Sequence, residues 1–143
     1  MRVSTHFDLR EFVPKPIWDQ YGTNSLWFIN TRLIESAEFM RMFFSKPILL
    51  NTWHIGGKLQ NRGFRTPQTT VGGRLSQHRF GRAIDFNVSG MADKDVQAAI
   101  VENWTYISRS TSFTTMEDGS FTPTWTHLDM RQTRSTDLLI VKP

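Results

Sequence analysis

The chain has 143 residues, no cysteine, a formal net charge of +4, and 38% hydrophobic against 21% charged residues, with eleven Phe and five Trp. That length suits one domain with its own core, and the aromatic content excludes a disordered chain. The lack of cysteine excludes disulfide scaffolds, thiol nucleophiles and thiolate metal sites, so a bound metal would need nitrogen and oxygen donors.

Residues 5–12 place Asp8 three positions before Glu11, the spacing of a capping box, which predicts one short helical turn closed by Pro14 and Pro16. From Asn24 to Phe44 the apolar residues Leu26, Ile29, Leu33, Ala37, Met40 and Phe44 recur in steps of three and four, predicting the longest helix. Pro47 to Trp53 reads as a buried strand, and the glycine-rich stretch from Gly56 to Gly73 as a loop folded around "RGFRTP" at 62–67.

Arg82 to Val88 alternates as a strand, and Asp93 to Trp104 reads as a helix with Val96, Ala99 and Ile100 on one face. Ser112–Glu117 and Phe121–Met130 are β-prone runs around Asp118-Gly119, a hairpin signal, and Leu138–Val141 adds an edge strand. The expected class is α+β, a small antiparallel sheet with helices on one face, in one domain over 1–143. No stretch is long and apolar enough to span a membrane, and the first residues lack the apolar core of a secretory signal. The basic residues are scattered without a nucleic-acid motif, so neither nucleic acid nor membrane is an expected partner. Oligomeric state is not legible.

Residues 76–85 read Ser-x-His-x-x-Gly-x-Ala-x-Asp, and "WTHLD" at 125–129 supplies a second histidine on a predicted strand. Zinc accepts imidazole nitrogen and carboxylate oxygen, and a catalytic zinc site keeps three protein ligands and one open position. His78, Asp85 and His127 meet that requirement. Gly81 allows a tight turn after His78, and Ala83, on the strand face of Asp85, leaves room beside the metal.

This motif resembles that of the zinc D-Ala-D-Ala carboxypeptidases and dipeptidases and the L-Ala-D-Glu endopeptidases of bacteria and their phages, whose fold is shared with the hedgehog signalling domain. "HFDLREF" at 6–12 and "RGFRTP" resemble further segments of that family. The resemblance implies zinc on His78, Asp85 and His127, with Arg65 and Ser76 at the positions of the family's motif arginine and serine. By that likeness Arg65 is a candidate for steadying the developing oxyanion, its alternative being an ion pair with a nearby carboxylate. Ser76 is a candidate substrate contact or simply a turn cap.

Many relatives place a glutamate just before the late histidine as general base, but positions 121–126 are Phe-Thr-Pro-Thr-Trp-Thr. Glu117 and Asp118 are the nearest upstream acids, roughly 30 Å of extended strand away unless the chain doubles back. Asp129, two residues beyond His127 on the same strand face, either acts as base or holds His127 or Arg131. His54 is a substrate-cleft candidate, with a fourth ligand or a satisfied polar residue as alternatives. Trp125 is expected in the core or along the cleft wall.

The implied activity is zinc-dependent hydrolysis of peptidoglycan stem peptides, by a phage endolysin or virion-associated lysin made without a secretory leader. The alternative is a non-catalytic, zinc-stabilised structural or wall-binding module of a phage particle, motivated by the missing glutamate. Which peptide bond would be cut is not legible.

Overall fold

A computed structural model describes residues 1–143. Four α-helices, α1 (Lys15–Tyr21), α2 (Thr31–Phe44), α3 (Asp93–Glu102) and α4 (Trp104–Ser110), accompany five strands: β1 (Ile48–Leu49), β2 (Ala83–Val88), β3 (Thr115–Glu117), β4 (Thr126–Asp129) and β5 (Leu139–Val141). The sheet order is β1-β2-β4-β3-β5. Three pairings are antiparallel, but β5 runs parallel to β3, so the sheet is mixed and the expectation of a purely antiparallel sheet is corrected. The chain leaves β4, loops through residues 130–138 and re-enters alongside β3 in the same direction, a crossing that strand propensity alone does not reveal.

Strand parity divides core from site. Ile84, Phe86 and Val88 of β2, Leu128 of β4 and Met116 of β3 are buried in one cluster with Leu33, Ile34 and Met40 of α2, Val96 and Ile100 of α3 and Ile107 of α4. Each such side chain, fully removed from water, contributes about 1.5–3 kcal/mol. The alternate residues Ala83, Asp85, His127, Asp129, Thr115 and Glu117 therefore share the opposite face.

Local signals explain most boundaries. Asp8 and Glu11 form the capping box of a 3-10 turn at Leu9–Glu11: Arg10 N–H donates to Asp8 and Asp8 N–H donates to Glu11. Helix α2 begins at Thr31 and not near Asn24, because Ile29 is extended and the Asn30 side chain accepts from Arg32 N–H as a cap. Residues 22–28 form a separate 3-10 segment. The strand expected over 47–53 shrinks to two residues, since the chain turns into a 3-10 helix at Trp53–Ile55. The region after α3 holds a further helix, α4, with only Ile107 fully buried. No helix is long and apolar enough to cross a membrane.

Candidate metal centre

Three elements converge on the site face. His78 lies in a 3-10 turn, Gln77–Phe80, that ends on Gly81 with φ +63°. A Cβ there would stand 1.9 Å from the Phe28 carbonyl oxygen, so the turn presses on the segment leading into α2 in a way only glycine permits. Asp85 and His127 are direct cross-strand partners on β2 and β4. The "RGFRTP" segment passes behind them: Phe64 N–H donates to Phe12 C=O at 2.7 Å, and a Cβ on Gly63 would stand 2.2 Å from that carbonyl oxygen.

His78 Nε2, Asp85 Oδ1 and His127 Nδ1 form a triangle with sides of 3.2, 3.2 and 2.8 Å, and all three residues are buried. Zinc–nitrogen bonds of about 2.0–2.1 Å place neighbouring tetrahedral ligands about 3.3 Å apart, so the triangle has the size of one face of a zinc shell.

The hydrogen-bond pattern aims the lone pairs inward. His78 Nδ1–H donates to Gly63 C=O at 2.7 Å, leaving Nε2 as an acceptor. His127 Nε2–H donates to Asp129 Oδ2 at 3.1 Å, leaving Nδ1 as an acceptor in the neutral ring. Two imidazole lone pairs and a carboxylate oxygen then face one point inside the protein, an arrangement a cation satisfies. Such a group can hold a metal ion.

Without metal, a proton takes part of that role. Burial acts to lower His127, but its hydrogen bonds to Asp129 and Asp85 outweigh this and raise it to about 9. Burial, the largest influence on His78, pushes that ring down and keeps it neutral. For Asp85 burial works upward but is overcome by the two histidines, which hold the carboxyl well below the usual carboxylate range.

Arg65 is buried and donates through Nη2 to Asp85 Oδ2 at 2.5 Å and through Nε to Asn61 C=O at 2.7 Å. It thereby holds the second oxygen of the Asp85 carboxylate while its remaining Nη1 lies against Gly72 at the cleft. The cleft itself is a concavity of about 380 Å³ lined by His78, Asp85 and His127 together with Ser76, Trp125 and Arg131. Arg65, Val71, Asp85 and Trp125 also border a second depression of about 260 Å³, so the groove continues past the donors. Arg79 staples the glycine-rich loop beside it, donating to the carbonyls of Gly73, Pro67 and Thr69.

Of the two roles open to Asp129 the structure has the one that holds His127 and Arg131, and the expected cleft position of His54 is corrected. Asp129 does not face the cleft: it is fully buried, accepts from His127 on one side and from Arg131 backbone and guanidinium on the other. It orients His127 and is not placed to act as base, because it binds the ring nitrogen turned away from the donor triangle. His54 does not line the cleft either. It sits in the Trp53–Ile55 turn, where burial, with a smaller contribution from the charge of Arg10, lowers its pKa.

The residue passed over is Glu117. Asp118-Gly119 does not make a two-residue hairpin; it opens an eight-residue connection over 118–125, and the chain doubles back. With Thr115 opposite Asp129 and Met116 opposite Leu128, the next step in register brings Glu117 level with His127. Its Oε1 lies 3.8 Å from His127 Nδ1, and it lines the cleft. Burial raises its pKa, with the nearby His127 acting in the opposite sense. A larger concavity of about 500 Å³, between α4 and residues 135–137, contains no histidine and only one acid, Asp137. No family model, curated protein or solved structure matches the chain.

Proposed function

We propose that the chain is a zinc peptidase that hydrolyses peptide bonds in peptidoglycan stem peptides, with the hedgehog and D-Ala-D-Ala peptidase type of fold. The observation that carries this reading is the donor triangle with Glu117 beside it: three inward-facing ligand atoms and a carboxylate 3.8 Å from one of them. Zinc held there by His78, Asp85 and His127 would supply a water of near-neutral pKa and polarise the carbonyl of the scissile bond.

The chain's own groups do the rest. Glu117, partly buried on the cleft wall, takes the proton from the attacking water and returns it to the departing amine. Arg65 fixes Asp85 through Nη2 and offers Nη1 towards the cleft, where charge develops on the carbonyl oxygen. Asp129 sets the orientation of His127 through Nε2, and Arg131 in turn holds Asp129. Ser76 and Trp125 flank the cleft as substrate contacts. The groove's continuation past Val71 and Trp125 supports binding of a peptide that extends to both sides of the cut.

A phage endolysin or virion-associated lysin is the biological setting this reading favours. The alternative of a non-catalytic zinc module drew its motive from a missing glutamate, and Glu117 supplies a carboxylate where that motive found none. The test is digestion of purified peptidoglycan by the zinc-loaded protein and by Glu117→Gln. Release of shortened stem peptides by the first and not the second is the expected result. Full zinc occupancy without peptide release by either would favour the module.

A further inference from the structure

We infer that a second site lies beside the metal cleft, an anion-binding basin formed by Arg32, Arg82 and Arg131 that takes the phosphodiester groups of a polyol-phosphate polymer of the cell wall. This rests on the wall-peptidase reading and extends it from the bond cut to the surface held.

The basin is a concavity of about 430 Å³, and neither Asp nor Glu is among the residues that line it. The guanidinium groups of Arg32 and Arg82 are exposed and make no ion pair or hydrogen bond within the chain. Arg131 donates Nε and Nη2 to Asp129 and keeps Nη1 uncommitted. A lone exposed arginine is ordinary; two unpaired guanidinium groups set beside a third that is paired to Asp129, around a hollow with no acid in its lining, leave a net positive surface that an anion would neutralise.

Backbone contacts assemble the group. Asn30 N–H donates to Gly81 C=O at 3.1 Å, which docks the His78 turn on the start of α2 and sets Arg82 beside Arg32. Met130 N–H donates to Arg82 C=O at 3.0 Å, which brings Arg131 to the same place. The positive end of the fourteen-residue helix α2 adds to the potential there.

The lining selects among anions. Guanidinium forks match phosphate oxygens, and Asn30, Ser112 and Thr133 offer polar groups to the hydroxyls of a polyol spacer. No aromatic side chain lines the basin, so bases of a single-stranded nucleic acid have nothing to stack on. Met130 is the basin's one apolar side chain, too little for insertion into a bilayer. Arg131 borders both this basin and the metal cleft, so a bound polymer would hold the cleft against the wall.

The test is calorimetric titration of the full chain at low salt with a poly(glycerol phosphate) oligomer. It compares the wild type, Arg32→Gln/Arg82→Gln and the charge-matched control Lys46→Gln/Lys94→Gln, with melting curves to verify folding. The arginine variant is expected to lose affinity at least about tenfold and the lysine variant no more than about twofold. Unchanged affinity in the arginine variant, or an equal loss in the lysine variant, would overturn the site. Equal or tighter binding of single-stranded DNA with the same number of phosphates would overturn the ligand class. Arginine-dependent polymer binding by a protein that cuts no wall peptide would sustain this inference while the peptidase reading fails.

Discussion

Glu117 and His127 face one another across neighbouring antiparallel strands, the carboxylate Oε1 3.8 Å from the ring Nδ1 that belongs to the donor triangle. Ten positions apart in sequence, they are brought level by the register of β3 on β4. If Glu117 moves the proton in peptide hydrolysis, Glu117→Gln should keep its zinc and lose activity by about 10²–10⁴-fold. Metal analysis alongside peptide release checks this, and a fully metallated variant with wild-type turnover would exclude the role.

Asp129 holds His127 from behind, so Asp129→Asn should weaken zinc binding by about 10–100-fold. Competition with a chelating dye measures it. Unaltered zinc affinity with activity abolished would instead point to a direct part in the reaction.

Zinc stabilisation should grow with pH. In the metal-free protein His127 is raised to about 9, so its protonated form contributes stability that is full below the unfolded value near 6.5 and is lost as pH rises through about 9. Zinc requires the unprotonated ring and competes with that proton. The difference in melting temperature between zinc-loaded and chelator-treated protein should therefore be larger at pH 8.5 than at pH 6. A difference that shrinks over that interval would contradict the ligand assignment of His127.

Gly81→Ala tests the turn that presents His78. With φ at +63° and the Phe28 carbonyl oxygen 1.9 Å from the new methyl position, the turn must move, at a cost of about 1–3 kcal/mol. Urea unfolding should report that loss, and zinc affinity should fall with it because His78 shifts. Wild-type stability would show that the approach to Phe28 is not needed.

What was legible in the chain was what is local. The Asp8–Glu11 box, the buried face of α2 and the alternation of β2 each follow from neighbouring residues, and the structure has all three. His78 and Asp85 could be singled out because their motif fixes residue types at short spacings, and His127, 42 residues further on in "WTHLD", by the second imidazole that segment supplies; the three meet in space. Glu117 could not be, because its nearness to His127 depends on how the eight residues between β3 and β4 loop back, and extended distance misleads there. The same holds for the parallel entry of β5, which is decided by a long-range pairing. Asp129 was ambiguous because parity puts it on the site face while the direction of its hydrogen bonds, which the sequence does not encode locally, turns it away from the cleft.

The most direct measurement is mass spectrometry of stem peptides released from purified peptidoglycan by zinc-loaded wild type, with His78→Ala and chelator-treated protein as controls. Shortened stem peptides from the zinc-loaded wild type alone are expected. Intact stem peptides in every sample, with one zinc bound per wild-type chain, would contradict the peptidase assignment.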